Sequence, residues 1–208
     1  MQILCHRGLW NELEEQNTLN AFKRAFESGF GVELDVRDSN SKIIISHDPP
    51  HKRNLVFLND FFELFKNSSV TAPTIAINIK ADGIAGAISE LIKQHNISNY
   101  FTFDMSIPEM LCYKELGLKY FSRVSEYEKE PVLIDNAAGI WLDAFKSGWY
   151  AEGDLNGFLE NKKDVCVVSS ELHGRNNQSQ WALIKKFSNS SCFMLCTDKP
   201  YKAREYFK

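Results

Sequence analysis

The sequence predicts a single-domain (β/α)8 barrel, because eight short apolar segments alternate with helical segments along its 208 residues. This length lies close to the lower limit of about 200 residues for such a barrel. An open, doubly wound α/β sheet shows the same alternation and is the competing architecture. The eight predicted strands are Ile3–Cys5, Val32–Val36, Ile75–Ile79, Tyr100–Phe103, Lys119–Val124, Gly139–Ala144, Val165–Ser169 and Ser191–Cys196.

The segments between most of these strands have helical periodicity, which favours a parallel sheet. Gly29 and Gly117 follow two of the helical segments and are expected to end them. A further apolar run, Lys42–Ser46, follows the second strand and predicts a hairpin insert at the top of the barrel. The predicted helices are Asn17–Ser28, Leu58–Phe65, Gly83–Gln94, Pro108–Leu116, Asp154–Glu160 and Gln178–Phe187.

Composition narrows the class of protein. Hydrophobic residues make up 44% and charged residues 25% of the chain, which is typical of a soluble globular domain. The net charge of -3 and the lack of a basic run argue against nucleic acid as a partner. The five cysteines form no CxxC pair, so we expect buried, reduced thiols. Neither a signal peptide nor an apolar segment long enough to span a bilayer is evident, which predicts a cytoplasmic protein.

Two carboxylates alternate with aliphatic residues in the second predicted strand. Glu33 and Asp35 fall on one face, and Val32, Leu34 and Val36 fall on the other. Two acids that project into a barrel mouth repel each other unless a cation or a proton neutralises them. A hard divalent ion, Mg²⁺ or Ca²⁺, is the simplest solution, since both ions prefer oxygen ligands. The alternative is a half-exposed strand with solvated acids.

The third predicted strand carries two more polar residues, Asn78 and Lys80, on one face. The amide oxygen of Asn78 can complete a metal shell. The ammonium group of Lys80 can bind a phosphate oxygen, or it can pair structurally with Glu33 or Asp35.

Two histidines follow predicted strands at the end where barrel enzymes place catalytic groups. His6 ends the first strand and precedes Arg7, whose planar guanidinium suits a phosphate. His47 ends the hairpin and precedes Asp48, which can orient the imidazole ring. Histidines titrate near neutral pH, so this pair can serve as general acid and general base in one displacement.

Glu171 is a further candidate, predicted at the carboxyl end of the seventh strand. It shares a strand face with Val165, Val167 and Ser169, and it can contact substrate or replace an acid missing at Asn78. A solvated loop carboxylate is the alternative.

These residues resemble the glycerophosphodiester phosphodiesterase family. Four N-terminal segments carry the resemblance in the same order and spacing as in that family, and two later segments resemble its third-strand motif and its closing motif. They are His6-Arg7-Gly8, Gln16-Asn17-Thr18-Leu19, Glu33-Leu34-Asp35-Val36, His47-Asp48, Ile77-Asn78-Ile79-Lys80 and Thr197-Asp198-Lys199-Pro200.

The resemblance implies a metal-dependent barrel that cleaves a small-molecule phosphodiester. His6 and His47 correspond to the acid/base pair, and Glu33 and Asp35 to the metal ligands. Arg7 and Lys80 correspond to the phosphate contacts.

The sequence departs from the family pattern at three places. At the position of Asn78 the family has a glutamate, and at the position of Gln16 it also has a glutamate. The 29 positions from 49 to 77 are too few for the small inserted domain that many family members carry. The removed charge at Asn78 predicts weaker or different metal coordination.

Three functions are compatible with this sequence. The first is an active phosphodiesterase that uses Mg²⁺ or Ca²⁺. The second is a non-catalytic barrel that binds a phosphorylated ligand, and the third is a barrel hydrolase or lyase that uses the same acids on another substrate. The sequence predicts neither the alcohol groups of the substrate nor the oligomeric state.

Overall fold

The computed structural model describes residues 1–50, 55–68 and 73–208. Ten strands form one sheet: β1 Gln2–His6, β2 Gly31–Ser39, β3 Lys42–Ile45, β4 Val56–Phe57, β5 Ile75–Ile79, β6 Tyr100–Phe103, β7 Phe121–Val124, β8 Gly139–Leu142, β9 Asp164–Val168 and β10 Phe193–Thr197. The helices are α1 Leu19–Glu27, α2 Leu58–Lys66, α3 Ala85–His95, α4 Ile107–Glu115, α5 Glu152–Glu160, α6 Gln178–Ile184 and α7 Pro200–Tyr206.

The sheet is mostly parallel, as predicted. Its parallel strands follow the order β7-β8-β9-β10-β1-β2-β5-β6. Each therefore pairs with a parallel strand next to it in the sequence, and β1 pairs with β10. A doubly wound sheet would instead reverse its strand order at a switch point. The two end strands touch through a parallel bridge between Thr102 and Tyr120, next to which the amide of Thr102 donates to the carbonyl of Lys119 at 2.9 Å.

A β-hairpin extends the second strand beyond the neighbouring parallel strands. Strands β2 and β3 pair antiparallel, and the two residues between them, Asn40 and Ser41, have φ angles of 49° and 62°. Positive φ at both central residues is the requirement of a type I′ turn, whose twist matches that of the strands. The short strand β4 pairs with β3 on its other side.

The inner and outer faces of the sheet bury different cores. Inside lie aromatic and small apolar residues from the strands, among them Phe101, Phe103, Phe121 and Trp141. The outer face packs against the helices in two clusters, and Cys5 belongs to the outer cluster that includes Phe22 and Phe26 of α1. In the described part of the chain no helix has the length and apolarity needed to cross a bilayer.

Several local expectations need correction. The first helix begins at Leu19 instead of Asn17, because Thr18 caps it through Ala21. The seventh parallel strand, β9, ends at Val168, and a 3-10 turn over Ser170–His173 follows it, so Glu171 does not lie on a strand.

The expectation of buried thiols holds for three of the five cysteines. Cys5, Cys166 and Cys196 are buried, whereas Cys112 and Cys192 are exposed. Exposed Cys112 lies on the solvent side of α4, and Cys192 precedes β10.

Close packing of the sheet predicts a large cost for a methyl group at Gly139. A Cβ there would lie 2.5 Å from the carbonyl oxygen of Asp164 and 2.6 Å from the ring of Phe121. We expect Gly139→Ala to lower the free energy of unfolding by about 1–3 kcal/mol in urea denaturation. Gly86→Ala is the control, because nothing lies within 4 Å of the added atom, and it should be neutral or slightly stabilising. Equal stability of the two variants would contradict this packing.

Candidate active site

The site residues from the first strands meet because their strands are neighbours in register. His6 of β1 pairs with Glu33 of β2, and Asp35 of β2 pairs with Asn78 of β5. Lys80 follows directly after β5. Since parallel strands end at the same rim, these side chains gather at the carboxyl end of the sheet, as the sequence predicts.

The acid pair of this rim is buried. Glu33 and Asp35 are each 1% exposed. Glu33 accepts hydrogen bonds from the backbone amide of Arg7 and from Nδ2 of Asn78, both at 3.2 Å. Burial and the negative charge of Asp35 raise the pKa of Glu33 to about 7. The nearby positive charges of His6, Arg7 and Lys80 oppose this rise.

Cations and an amide surround the second acid, Asp35. Its Oδ2 lies 2.9 Å from Nε of Arg7 and accepts a hydrogen bond of 2.9 Å from Nδ2 of Asn17. Its Oδ1 lies 3.6 Å from Nζ of Lys80. Arg7 and Lys80, the candidate phosphate contacts, therefore both pair with Asp35, a candidate metal ligand. The pairing of Lys80 with Asp35 is one of the two roles that the sequence suggests for this lysine.

Arg7 and Asn17 both have a left-handed backbone conformation, which brings their polar groups to the acid pair. Arg7 has φ 57° and Asn17 has φ 58°, in a region that residues other than glycine rarely adopt. The amide of Asn17 donates to the carbonyl of Arg7 at 3.0 Å, so the two turns support each other. With this backbone conformation, Asn17 precedes the helix and its side chain points to Asp35.

The polar atoms at the acid pair fit a hard cation. Oδ1 of Asp35 and Oδ1 of Asn78 are buried, and neither has a hydrogen-bond partner among the described residues. Oxygen atoms of this kind, together with Glu33, are the donors that Mg²⁺ and Ca²⁺ prefer. Elsewhere in the described ranges, as here, no three His, Cys, Asp or Glu side chains form a cluster of metal-binding geometry. The amide of Asn78 thus supplies the third oxygen of the candidate set.

His6 is held by an acid from the last strand's end. Its Nδ1 lies 2.8 Å from Oδ1 of Asp198, which follows β10. Burial lowers the pKa of His6, but the hydrogen bond to Asp198 and the charge of Glu33 outweigh it, so the net pKa is raised. The bond fixes the ring at Nδ1 and leaves Nε2 without a role in this pair.

His47 lies on the hairpin, farther from the acid pair. Its side chain is 46% exposed and its Nδ1 lies 2.9 Å from Oδ1 of Asp48. A cavity of about 370 Å³ is lined by both His47 and Arg7, together with Gln16 and Asn17. His47 therefore lines the same cavity as Arg7, and no hydrogen bond or ion pair joins it to His6 among the described residues.

Glu171 is engaged in local hydrogen bonds. Its carboxylate accepts from the hydroxyl groups of Ser169 and Thr197, and from Nδ2 of Asn177 at 3.0 Å. No contact joins it to Arg7 or Asn78 in the described part of the chain. Its carboxylate links the ends of β9 and β10.

An ion-pair chain that the sequence reasoning missed continues from Lys80 around the rim. Nζ of Lys80 lies 3.2 Å from Oδ2 of Asp104, and Asp104 pairs with Arg123, which pairs with Glu128. Asp104 follows β6 directly, just as Asp198 follows β10. In the sequence, the signal for Asp104 and Asp198 is a polar residue directly after a predicted parallel strand, where barrel enzymes place functional groups.

Several solved structures are similar to this chain along nearly its whole length. A glycerophosphodiester phosphodiesterase from Agrobacterium tumefaciens superposes with a TM-score of 0.70 at 16% identity, covering 99% of each chain. One from Parabacteroides distasonis gives 0.72 at 13% identity, covering 99% of this chain and 96% of its own.

A third match is an Oleispira antarctica phosphodiesterase crystallised with the product sn-glycerol-3-phosphate. It has a TM-score of 0.74 and 16% identity over 99% of this chain and 96% of its own. The chain has the fold of the glycerophosphodiester phosphodiesterases. No family model and no curated protein sequence matches it.

The pairing with Asp198 predicts the titration of His6. We expect Asp198→Asn to lower the pKa of His6, because burial then acts without the hydrogen-bonded carboxylate that opposes it. The pKa can be followed by NMR of the ring resonances against pH. Asp48→Asn removes the partner of the other histidine and should leave His6 unchanged. A His6 pKa that does not move in Asp198→Asn would contradict the arrangement.

Proposed function

We propose that this protein is a metal-dependent phosphodiesterase that hydrolyses a glycerophosphodiester-like substrate. The observation that carries the proposal is the convergence of His6, Arg7, Glu33, Asp35 and Lys80 at one rim. The fold supports it, since the superposed phosphodiesterases share it along nearly the whole chain. The product bound to the Oleispira antarctica enzyme suggests the class of substrate.

The phosphate would be held by the cations of the site. The guanidinium of Arg7 offers a planar pair of donors to two phosphate oxygens, and Lys80 offers a point charge. Arg7 lines the open cavity that contains His47, so a diester that enters there meets the guanidinium first. Substrate would thus bind between the acid pair and the hairpin.

Proton transfer would be divided between the two histidines. One imidazole takes a proton from the attacking water molecule as the water oxygen bonds to phosphorus. The other imidazole protonates the alcohol oxygen as its bond to phosphorus breaks. Asp198 and Asp48 each hold Nδ1 of one ring, which leaves both Nε2 atoms for this exchange.

A divalent cation, Mg²⁺ or Ca²⁺, would be held by Glu33, Asp35 and Asn78. When bound, it stabilises negative charge on the phosphate oxygens. Its positive charge would also oppose the burial and the charge of Asp35, which together raise the pKa of Glu33. We propose a positioning role for Glu171, because three donors already occupy its carboxylate.

The acid/base assignment predicts the activity of histidine variants. His6→Ala and His47→Ala should each lower kcat for a glycerophosphodiester by a factor of about 10² to 10⁴. Release of glycerol phosphate, measured by a coupled assay, follows the reaction, and circular dichroism checks the fold. Tyr201→Phe is the control, because Tyr201 bonds Ser28 on the outer helical layer.

Two outcomes would reject the proposal. Retained activity in both histidine variants would remove the acid/base pair. Tight binding of glycerophosphodiesters by the wild-type protein without turnover, across added Mg²⁺, Ca²⁺ and Mn²⁺, would instead indicate a phosphate-binding barrel.

The amide in the candidate metal shell predicts the effect of an added charge. Asn78→Glu should bind Mg²⁺ or Ca²⁺ at least about tenfold more tightly than the wild-type protein, since a third carboxylate adds attraction. Isothermal titration calorimetry of the metal-free protein measures this without reference to activity. Asn78→Gln, which lengthens the side chain without a charge, should not improve affinity. Weaker binding by Asn78→Glu would place the cation elsewhere.

A further inference from the structure

A second, larger cavity opens on the same rim, at the carboxyl ends of β6 and β7. Its volume is about 520 Å³, within the range of small-molecule sites. Part of its lining is charged and part is apolar. These residues include Asp104, Met105, Ile107, Met110, Tyr127 and Val132.

This cavity adjoins the candidate phosphate contact Lys80 through one shared lining residue. Asp104 lines it and also lines a smaller cavity that contains Lys80. Lys80 lies 3.2 Å from Asp104 on one side and 3.6 Å from Asp35 on the other. Lys80 therefore links Asp35 of the acid pair to Asp104 in the lining of the second cavity.

Five of the eleven lining residues are apolar or aromatic, and three of these five are exposed. Ile107 is 53%, Tyr127 is 63% and Val132 is 37% exposed, whereas Met105 and Met110 form a nearly buried floor. Large side chains with this much exposure rarely cluster unless the surface binds something. Methionine side chains are flexible and adapt to apolar ligands of different shape.

The other six lining residues are charged: Asp104, Arg123, Glu126, Glu128, Lys129 and Glu130. Three of the four acids among them already have partners. Asp104 and Glu128 both pair with Arg123. Glu126 accepts a hydrogen bond of 3.0 Å from the amide of Phe145. A charged ligand would compete with these pairs, while the apolar walls offer an area that an apolar ligand can cover without such competition.

We propose that the cavity binds an alkyl or acyl chain carried by one alcohol group of the phosphodiester. The inference rests on the proposed function and names an amphiphilic diester as substrate. The phosphate lies at Arg7 and Lys80, and the chain passes Asp104 to reach Ile107, Tyr127 and Val132. Each methylene group that leaves water then strengthens binding by up to about fourfold.

Binding of a chain-length series tests this inference. Hexyl-, octyl- and decylphosphocholine, each below its micellar concentration, are titrated into the wild-type protein by calorimetry. We expect the Kd to fall by about two- to fourfold for each added methylene. Equal Kd values for the three probes would overturn the inference. The titration needs no turnover, so chain-dependent binding by a protein without diesterase activity would reject the proposed function alone.

Variants of the exposed wall localise the binding. Ile107→Asn with Val132→Asn should weaken decylphosphocholine binding by at least about tenfold and flatten the chain-length dependence. Leu116→Asn is the matched control, because Leu116 is also exposed, at 41%, and does not line the cavity. Unchanged binding by the double variant, or an equal loss in Leu116→Asn, would overturn the assignment.

A second copy of the chain is the other apolar partner for this surface. Analytical ultracentrifugation of the wild-type protein and of the double variant distinguishes the two. A monomer in both cases supports a ligand cavity. A wild-type dimer that the double variant breaks would overturn the inference, because the apolar walls would then be an interface.

Discussion

The constraint on which the candidate site depends is the burial of two carboxylates, Glu33 and Asp35, two residues apart on one strand. Each is 1% exposed, so water cannot screen their repulsion. The protein compensates for one of them with Arg7 and Lys80, and it supports the other with hydrogen-bond donors. Burial and, after it, the charge of Asp35 raise the pKa of Glu33. The buried Oδ1 atoms of Asp35 and Asn78, which have no hydrogen-bond partner among the described residues, are the physical argument for a bound cation.

The same constraint explains the unusual backbone around the acids. Arg7 and Asn17 adopt left-handed conformations, which bring a backbone amide and a side-chain amide to the two carboxylates. Such conformations cost free energy for residues other than glycine, so they persist where other contacts favour them. Ion pairs then extend from Lys80 through Asp104 to Arg123, and they connect the acid pair to the lining of the second cavity.

Much of this arrangement was predictable from the sequence. Strand alternation places Glu33, Asp35 and Asn78 on one face, and the parallel register then brings His6 and Lys80 beside them. Other contacts depend on tertiary structure. Neither the turn that aims Asn17 at Asp35 nor the 192-residue separation of Asp198 from His6 leaves a local pattern. Glu171 illustrates the limit of alternation, because the strand ends before it and a 3-10 turn changes its direction.

The central claim is that Glu33, Asp35 and Asn78 form a cation site beside the phosphate contacts. A crystal structure of the protein with Mn²⁺ and sn-glycerol-3-phosphate, with anomalous diffraction to locate the metal, tests it most directly. We expect an anomalous peak within about 2.5 Å of carboxylate oxygens from both acids, with the phosphate against Arg7. A peak elsewhere, with Arg7 and Lys80 still paired to Asp35, would contradict it.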